Sequence, residues 1–216
     1  FTLANLETLL MYGGLNVILV FLTLYLQFIG LSPLVSSLFL VPVSIVMILF
    51  AAGIGSLADK RGPRLFLSAG PALIGVGALL FSTIRSESDI WTVGMAGVAA
   101  FSFGLAMLVA PITSAALKAV PAEFSGVASG VNTTMSRIGG LIAVAIAGVV
   151  ITLVFNHTDG HAGATPLALH QSDQALRHAS EKGFSSAMLI TAALAFVSAI
   201  VGLGITPERK SSPKAS

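Results

Sequence analysis

Cysteine is absent from the 216 residues, so neither a disulfide framework nor a thiolate metal site is available, and the redox compartment is left unmarked. Charge is nearly as scarce. Asp, Glu, Lys and Arg make up 9% of the chain, against about a quarter in soluble domains. The net charge of +2 is too small, and the basic residues too scattered, to form a nucleic-acid footprint. No Met opens the chain, and no charged leader with a cleavage site precedes an apolar core. That is expected of a piece of a longer protein rather than of a signal-led mature one. What is abundant is hydrocarbon, with 55% hydrophobic residues and a mean hydropathy of +0.95. So little polar surface cannot cover a water-facing globule, and lipid is the natural solvent.

The gaps between charges locate the membrane spans. No charged side chain falls between Glu7 and Asp59, Arg64 and Arg85, Asp89 and Lys118, Arg137 and Asp159, or Lys182 and Glu208. A spanning helix needs about 20 mostly apolar residues. The first gap holds two, with Gly30-Leu31-Ser32-Pro33 as the break. The spans expected are Leu6–Phe28, Leu34–Leu57, Leu65–Ile84, Trp91–Leu117, Gly126–Phe155 and Phe184–Ile205. These runs are continuously apolar and lack the alternation of a β-barrel. The expected fold is therefore an all-α membrane protein, a six-helix bundle. Residues 1–155 carry five helices, 156–182 an external polar loop, 183–205 the sixth helix and 206–216 a cytoplasmic tail.

Orientation follows from Lys and Arg outside the spans. One side holds Lys60, Arg61, Arg64, Lys118, Arg209, Lys210 and Lys214; the other holds Arg85, Arg177 and Lys182. The richer side is expected in the cytoplasm with both chain ends, which places Tyr25 and Trp91 near the outer interface.

In lipid, polar side chains belong on faces turned to other helices or to a water-filled cavity. The third and sixth spans carry only Ser and Thr as polar groups, so they are expected on the lipid side. Asn5, Thr8, Tyr12, Asn16, Thr23 and Gln27 in the first span fall on one stripe at about 100° per residue. Two readings stay open: a seam of helix–helix hydrogen bonds, or the wall of a substrate cavity. Ser125, Ser129, Asn132 and Ser136 form a second stripe in the fifth span, beside the small pair Gly126 and Gly130. Arg137 on that flank calls for a partner, either as a lock between helices or in a charge pair that changes between transport states. Glu7 lies off the first stripe. It suits the positive end of a helix dipole, and equally a proton carrier, because desolvation favours a neutral carboxyl. Pro111 removes a backbone hydrogen bond within the fourth span and is expected to bend it beside a site, or to kink it passively. His157 and His161 have metal-ligand spacing, but Asp159, Gly160 and Gly163 interrupt any helix there, so a solvated loop is expected and no metal site.

Between the second and third spans stands Gly55-Ser56-Leu57-Ala58-Asp59-Lys60-Arg61-Gly62-Pro63-Arg64. Gly55 permits close packing, Gly62-Pro63 forces a short turn, and Asp59 sits among basic neighbours. This segment resembles the G-x-L-A-D-R-x-G-R-K-x-x-L signature of major facilitator transporters. Gly55, Leu57, Ala58, Asp59, Gly62 and Leu67 stand in register, Lys60 and Arg64 match by charge, and Pro63 departs from a usual basic position. Asn5-Leu6-Glu7-Thr8, Tyr25-Leu26-Gln27, Ser32-Pro33-Leu34 and the segment from Val120 to Asn132 are similar to the second half of fourteen-helix drug:proton antiporters. The resemblance implies one six-helix half of a two-bundle transporter, whose inverted repeats enclose a midplane site.

By family order the first and fourth helices line the cavity, here with Tyr12, Asn16, Thr23, Gln27 and Pro111. The second and fifth form the seam with an N-terminal half, here with Ser129, Asn132, Ser136 and Arg137. The signature loop, with Gly55, Asp59, Lys60, Gly62 and Arg64, gates the conformational change. The implied function is efflux of amphipathic small molecules across a bacterial inner membrane, driven by a proton gradient with no cofactor. A sugar or metabolite carrier on the same fold is the alternative, and a non-transporting scaffold or sensor a third reading. The spans hold no paired carboxylates, Ser–His pair or H-E-x-x-H motif, so an intramembrane enzyme fits worst. The topology makes a direct expectation. Cysteines introduced at Ser88 and Gly163 react with an impermeant thiol reagent on intact cells, and one at Ser211 does not; labelling at Ser211 reverses the orientation.

Overall fold

The computed structural model describes residues 2–118, 120–158, 164–169 and 173–204. His161, His170 and the expected tail at 206–216 lie outside them. Among the described residues six helices are long and apolar enough to cross a membrane: α1 (Thr2–Phe28), α2 (Pro33–Arg61), α3 (Arg64–Phe81), α4 (Glu87–Thr113), α5 (Ser125–Thr158) and α6 (Gln174–Leu203). The expected break between the first two spans is present. Gly30 turns at φ +116, a conformation only glycine adopts without strain, and the Ser32 hydroxyl caps α2 by accepting from the Val35 amide at 3.3 Å with Pro33 at the first helical position.

Three departures from the sequence expectations have local causes. α6 begins at Gln174, ten residues before the apolar run, because Asp173 caps it by accepting from the Ala175 amide. Much of the expected external loop is thus helix, and Leu167 in the remainder donates its amide to Ser180 of α6 at 3.2 Å. α2 breaks at Phe39–Leu40, just ahead of Pro42, whose ring clashes with the carbonyl four residues back. α1 contains a π-helical turn at Ile18–Leu22, and a second such turn opens α4 at Ile90–Gly94. Each π turn accommodates about one extra residue and advances everything beyond it by about 100°. The single stripe expected on α1 is therefore split, with Tyr12 and Asn16 before the wide turn and Thr23 and Gln27 after it.

The helices meet through glycine. In α3 and α4, Gly70 faces Gly104 and Gly77 faces Gly97, two antiparallel contacts seven residues apart. A Cβ on Gly104 would sit 2.7 Å from the Gly70 carbonyl oxygen. Gly139 of α5 lies against the Leu9 backbone of α1, and Gly202 of α6 against the Leu67 carbonyl of α3. That last carbonyl has no helical donor, because residue four positions on is Pro71. It turns instead to the bare Cα of Gly202, an arrangement suited to a Cα–H···O contact.

Burial is uneven. Only 17% of the apolar window of α2 and 28% of that of α5 is buried, against 44–50% for the other four helices. α3 and α6 pack on one another and keep an apolar stripe each, with Leu65, Val76 and Leu79 on α3 and Leu189, Val197 and Ile200 on α6 exposed. The open faces of α2 and α5 are broader: Ile45, Ile48 and Leu49 on one, Val127, Leu141 and Val149 on the other. Gly126 and Gly130 meet nothing within 4 Å, so this small pair makes no close backbone contact within the described chain. The contrast is testable. Gly104→Ala is expected to lower stability by about 1–3 kcal/mol through overpacking, while Gly126→Ala is neutral or stabilising by up to about 1 kcal/mol. Thermal unfolding of the two detergent-solubilised variants separates them.

Candidate functional site

The N-terminal half of α1 is held against α5 by the first part of the polar stripe. Thr8 is fully buried, its hydroxyl 2.8 Å from both the Ala4 carbonyl and Oδ1 of Asn132. Gly13 approaches Ala143 and Gly139, and Gly140 is bare beneath the Asn16 amide, whose Nδ2 donates to the Tyr12 carbonyl at 2.7 Å. For Thr8 this is the helix–helix reading of the stripe. Tyr12, Asn16, Thr23 and Gln27 are all partly buried. Beyond the π turn, Thr23 donates to the Leu19 carbonyl at 2.8 Å and Gln27 to the Thr23 carbonyl at 3.4 Å, bonds within their own helix. Pro111 is buried on α4 beside Ala110, whose Cβ lies 3.1 Å from where a side chain on Gly55 would begin. Close packing at Gly55 is therefore realised against α4.

The residues expected at the seam divide. Asn132 turns inward to Thr8. Ser129 and Arg137 are exposed, and Ser136 is partly buried with its hydroxyl donating to the Thr133 carbonyl. Among the described residues no carboxylate pairs with Arg137, so it does not lock two helices of this bundle. It stands on the open face of α5.

The signature loop is short. α2 ends at Arg61, Gly62 follows at φ +92, and Pro63 caps α3, which starts at Arg64. Asp59, Lys60 and Arg64 are exposed. Lys60 and Arg61 occupy the last turn of α2, where positive charge complements the helix dipole.

A cavity of about 220 Å³ lies between α1, α5 and α6, lined by Leu10, Gly13, Ile142, Ala147, Ile190 and Leu194 among others. Its one polar side chain, Thr191, donates to the Ala187 carbonyl at 2.8 Å. None of the stripe residues Tyr12, Asn16, Thr23 or Gln27 lines it.

Around Tyr25 the ends of four helices are tied by a network that polarity and spacing did not expose. Tyr25 was expected at the interface but is fully buried. Its ring stacks on Phe184 of α6 at 3.8 Å and its hydroxyl donates to the Ile84 carbonyl at 2.7 Å. Arg85 donates to the carbonyls of Ser82 and Ile84, each at 2.8 Å, and Ser185 donates to Ser82 at 2.9 Å. The Asp89 carboxylate accepts from the amides of Arg85 and Ser86. Carbonyls at the end of α3 thus serve as common acceptors for side chains from α1 and α6. Trp91 is exposed.

Among the described residues, six membrane-length helices meet at glycine and stay open along α2 and α5. The chain belongs to the Major Facilitator Superfamily, whose model matches residues 6–144, and this is a family of transporters rather than enzymes. It is 32% identical over 124 residues to the multidrug resistance protein Stp of Mycobacterium tuberculosis, covering 56% of this chain and 22% of Stp. It is 31% identical to the tetracenomycin C resistance and export protein of Streptomyces glaucescens, over 62% of this chain and 25% of that protein. Identity to the multidrug efflux pump LfrA of Mycolicibacterium smegmatis is 26%, over 77% of this chain and 33% of LfrA. The chain thus spans a third or less of each of these relatives.

The Thr8–Asn132 contact makes a prediction of its own. In a cycle of Thr8→Val, Asn132→Leu and the double substitution, the coupling energy is expected to be about 1 kcal/mol. Strict additivity of the two losses in thermal stability would show that the pair contributes nothing.

Proposed function

We propose that this chain is the C-terminal six-helix half of a secondary active transporter that expels amphipathic small molecules, using the proton gradient as its energy source. The observation that carries the reading is the pairing of family membership with two unburied helices, α2 and α5. Their apolar faces and the open pair Gly126 and Gly130 are the natural docking surface for an N-terminal half, with Ser129, Ser136 and Arg137 beside it. Multidrug resistance, efflux and export in the names of the related proteins favour drug-like cargo over sugars. The membrane is that of a bacterial cell, with both termini cytoplasmic. Tyr12, Asn16, Thr23, Gln27 and Pro111 are assigned to the substrate path. Gly55, Asp59, Lys60, Gly62 and Arg64 are assigned to the inner gate.

Cargo selectivity tests this assignment. Alanine at Tyr12, Asn16, Thr23 or Gln27 in the full-length protein is expected to alter efflux of chemically unlike dyes to different degrees. Tyr12→Ala should weaken aromatic cations most, by about 0.5–2 kcal/mol of lost ring and cation–π contact. Leu24, exposed on α1 and outside the cavity lining, is the control. Uniform loss across all dyes, tracking protein stability, would make the residues structural and return the sugar or metabolite carrier to first place.

A further inference from the structure

Glu7 is fully buried, and neither carboxyl oxygen has a hydrogen-bond partner among the described residues. Its place is fixed by contacts on both sides of it along α1. Leu3 lies against Gly204 at one end, and Gly14 against Thr191 farther in. Tyr25 stacks on Phe184 at the far end. This antiparallel register brings Glu7 to the level of Ser198 on α6. Ser198 sits two turns from Thr191 on the same face, and its hydroxyl is likewise buried without a partner among the described residues. Two helices therefore present unpaired polar atoms to one dry level of the bundle.

Among the described residues no counter-charge faces it. α6 carries no titratable side chain between Gly183 and Gly204. α5 carries only Arg137 between Ser125 and Phe155, and it is exposed. α4 carries none between Ile90 and Thr113. On α1 itself the other titratable groups are Tyr12 and Tyr25, the latter committed to Ile84. An ionised carboxylate left in such surroundings is far costlier than the neutral acid. A merely structural role also fits poorly, because an apolar residue of the same size would pack there without orphaned oxygens.

The geometry points to Glu7 as a proton-binding site of the transport cycle, neutral in this conformation and ionised only when the α1–α6 packing at the level of Ser198 opens to water. This deepens the efflux reading and rests on it. On opening, the carboxylic O–H bond breaks, the proton passes to water and the electron pair stays on the carboxylate. The acid re-forms by taking a proton from water when access changes sides. Because closure of the contact requires the neutral form, movement of α1 and proton occupancy are linked.

The experiment uses the full-length transporter in inverted vesicles, with ethidium as a lipophilic cationic dye, together with carbodiimide labelling of apolar protonated carboxyls. The wild type is expected to be labelled at Glu7 at neutral pH and to move dye under an imposed pH gradient. Glu7→Gln, which keeps the size and neutrality of the acid, should lose the label and at least tenfold of gradient-driven transport while retaining dye counterflow. Glu7→Asp should retain gradient-driven transport with a displaced pH profile. Gradient-driven transport by Glu7→Gln equal to wild type, or absence of label at Glu7, overturns the site but leaves proton-driven efflux intact. Wild-type transport that ignores the pH gradient overturns both.

Discussion

Backbone-to-backbone approach at glycine is the contact on which this bundle depends. Lipid tails are as apolar as leucine, so burying leucine between two membrane helices gains little; dispersion at short range and a few hydrogen bonds must serve instead. Gly70 with Gly104, Gly77 with Gly97, Gly139 with Leu9 and Gly202 with Leu67 place helices closer than any side chain would permit. The polar contacts follow from that closeness. Thr8 reaches Asn132 because the same two helices have met at Gly139, and Asn16 lies over Gly140 because no Cβ stands there.

The same economy explains what is left open. α3 and α4 are sutured at two levels and α1 is flanked by both α5 and α6, whereas α2 meets the bundle chiefly along α4, through Gly55 and Ala110. Gly126 and Gly130 have the spacing of a helix-packing pair and no helix to pack on. Among the described residues nothing covers that pair.

The number of spans, the break at Gly30 and the short turn at Gly62 were legible in the sequence because each follows from a local rule: apolar length, positive φ, or proline placement. The polar stripe of α1 was legible only in part. Its residues lie where counting placed them, but the π turn at Ile18–Leu22 changes the phase between Asn16 and Thr23, and no residue in Ile-Leu-Val-Phe-Leu advertises an extra residue in a turn. The burial of Tyr25 was hidden for a related reason. An amphipathic ring near a span end suits the headgroup region equally well, and only the tertiary fold brings Phe184 and the Ile84 carbonyl to it. Arg137 shows the opposite limit, since depth along a helix says nothing about which side of the bundle that helix shows to its surroundings.

Pro71 and Gly202 are far apart in the chain, yet both bear on the Leu67 carbonyl. The proline strands the Leu67 carbonyl, and the missing side chain of Gly202 is what receives it. A substitution at position 202 is therefore barred by backbone rather than by a neighbouring side chain, so no compensating change in volume nearby can rescue it. Restoring a donor at position 71 would draw the carbonyl back into its own helix and relax the bar. Tolerance at the end of α6 is thus set from the middle of α3.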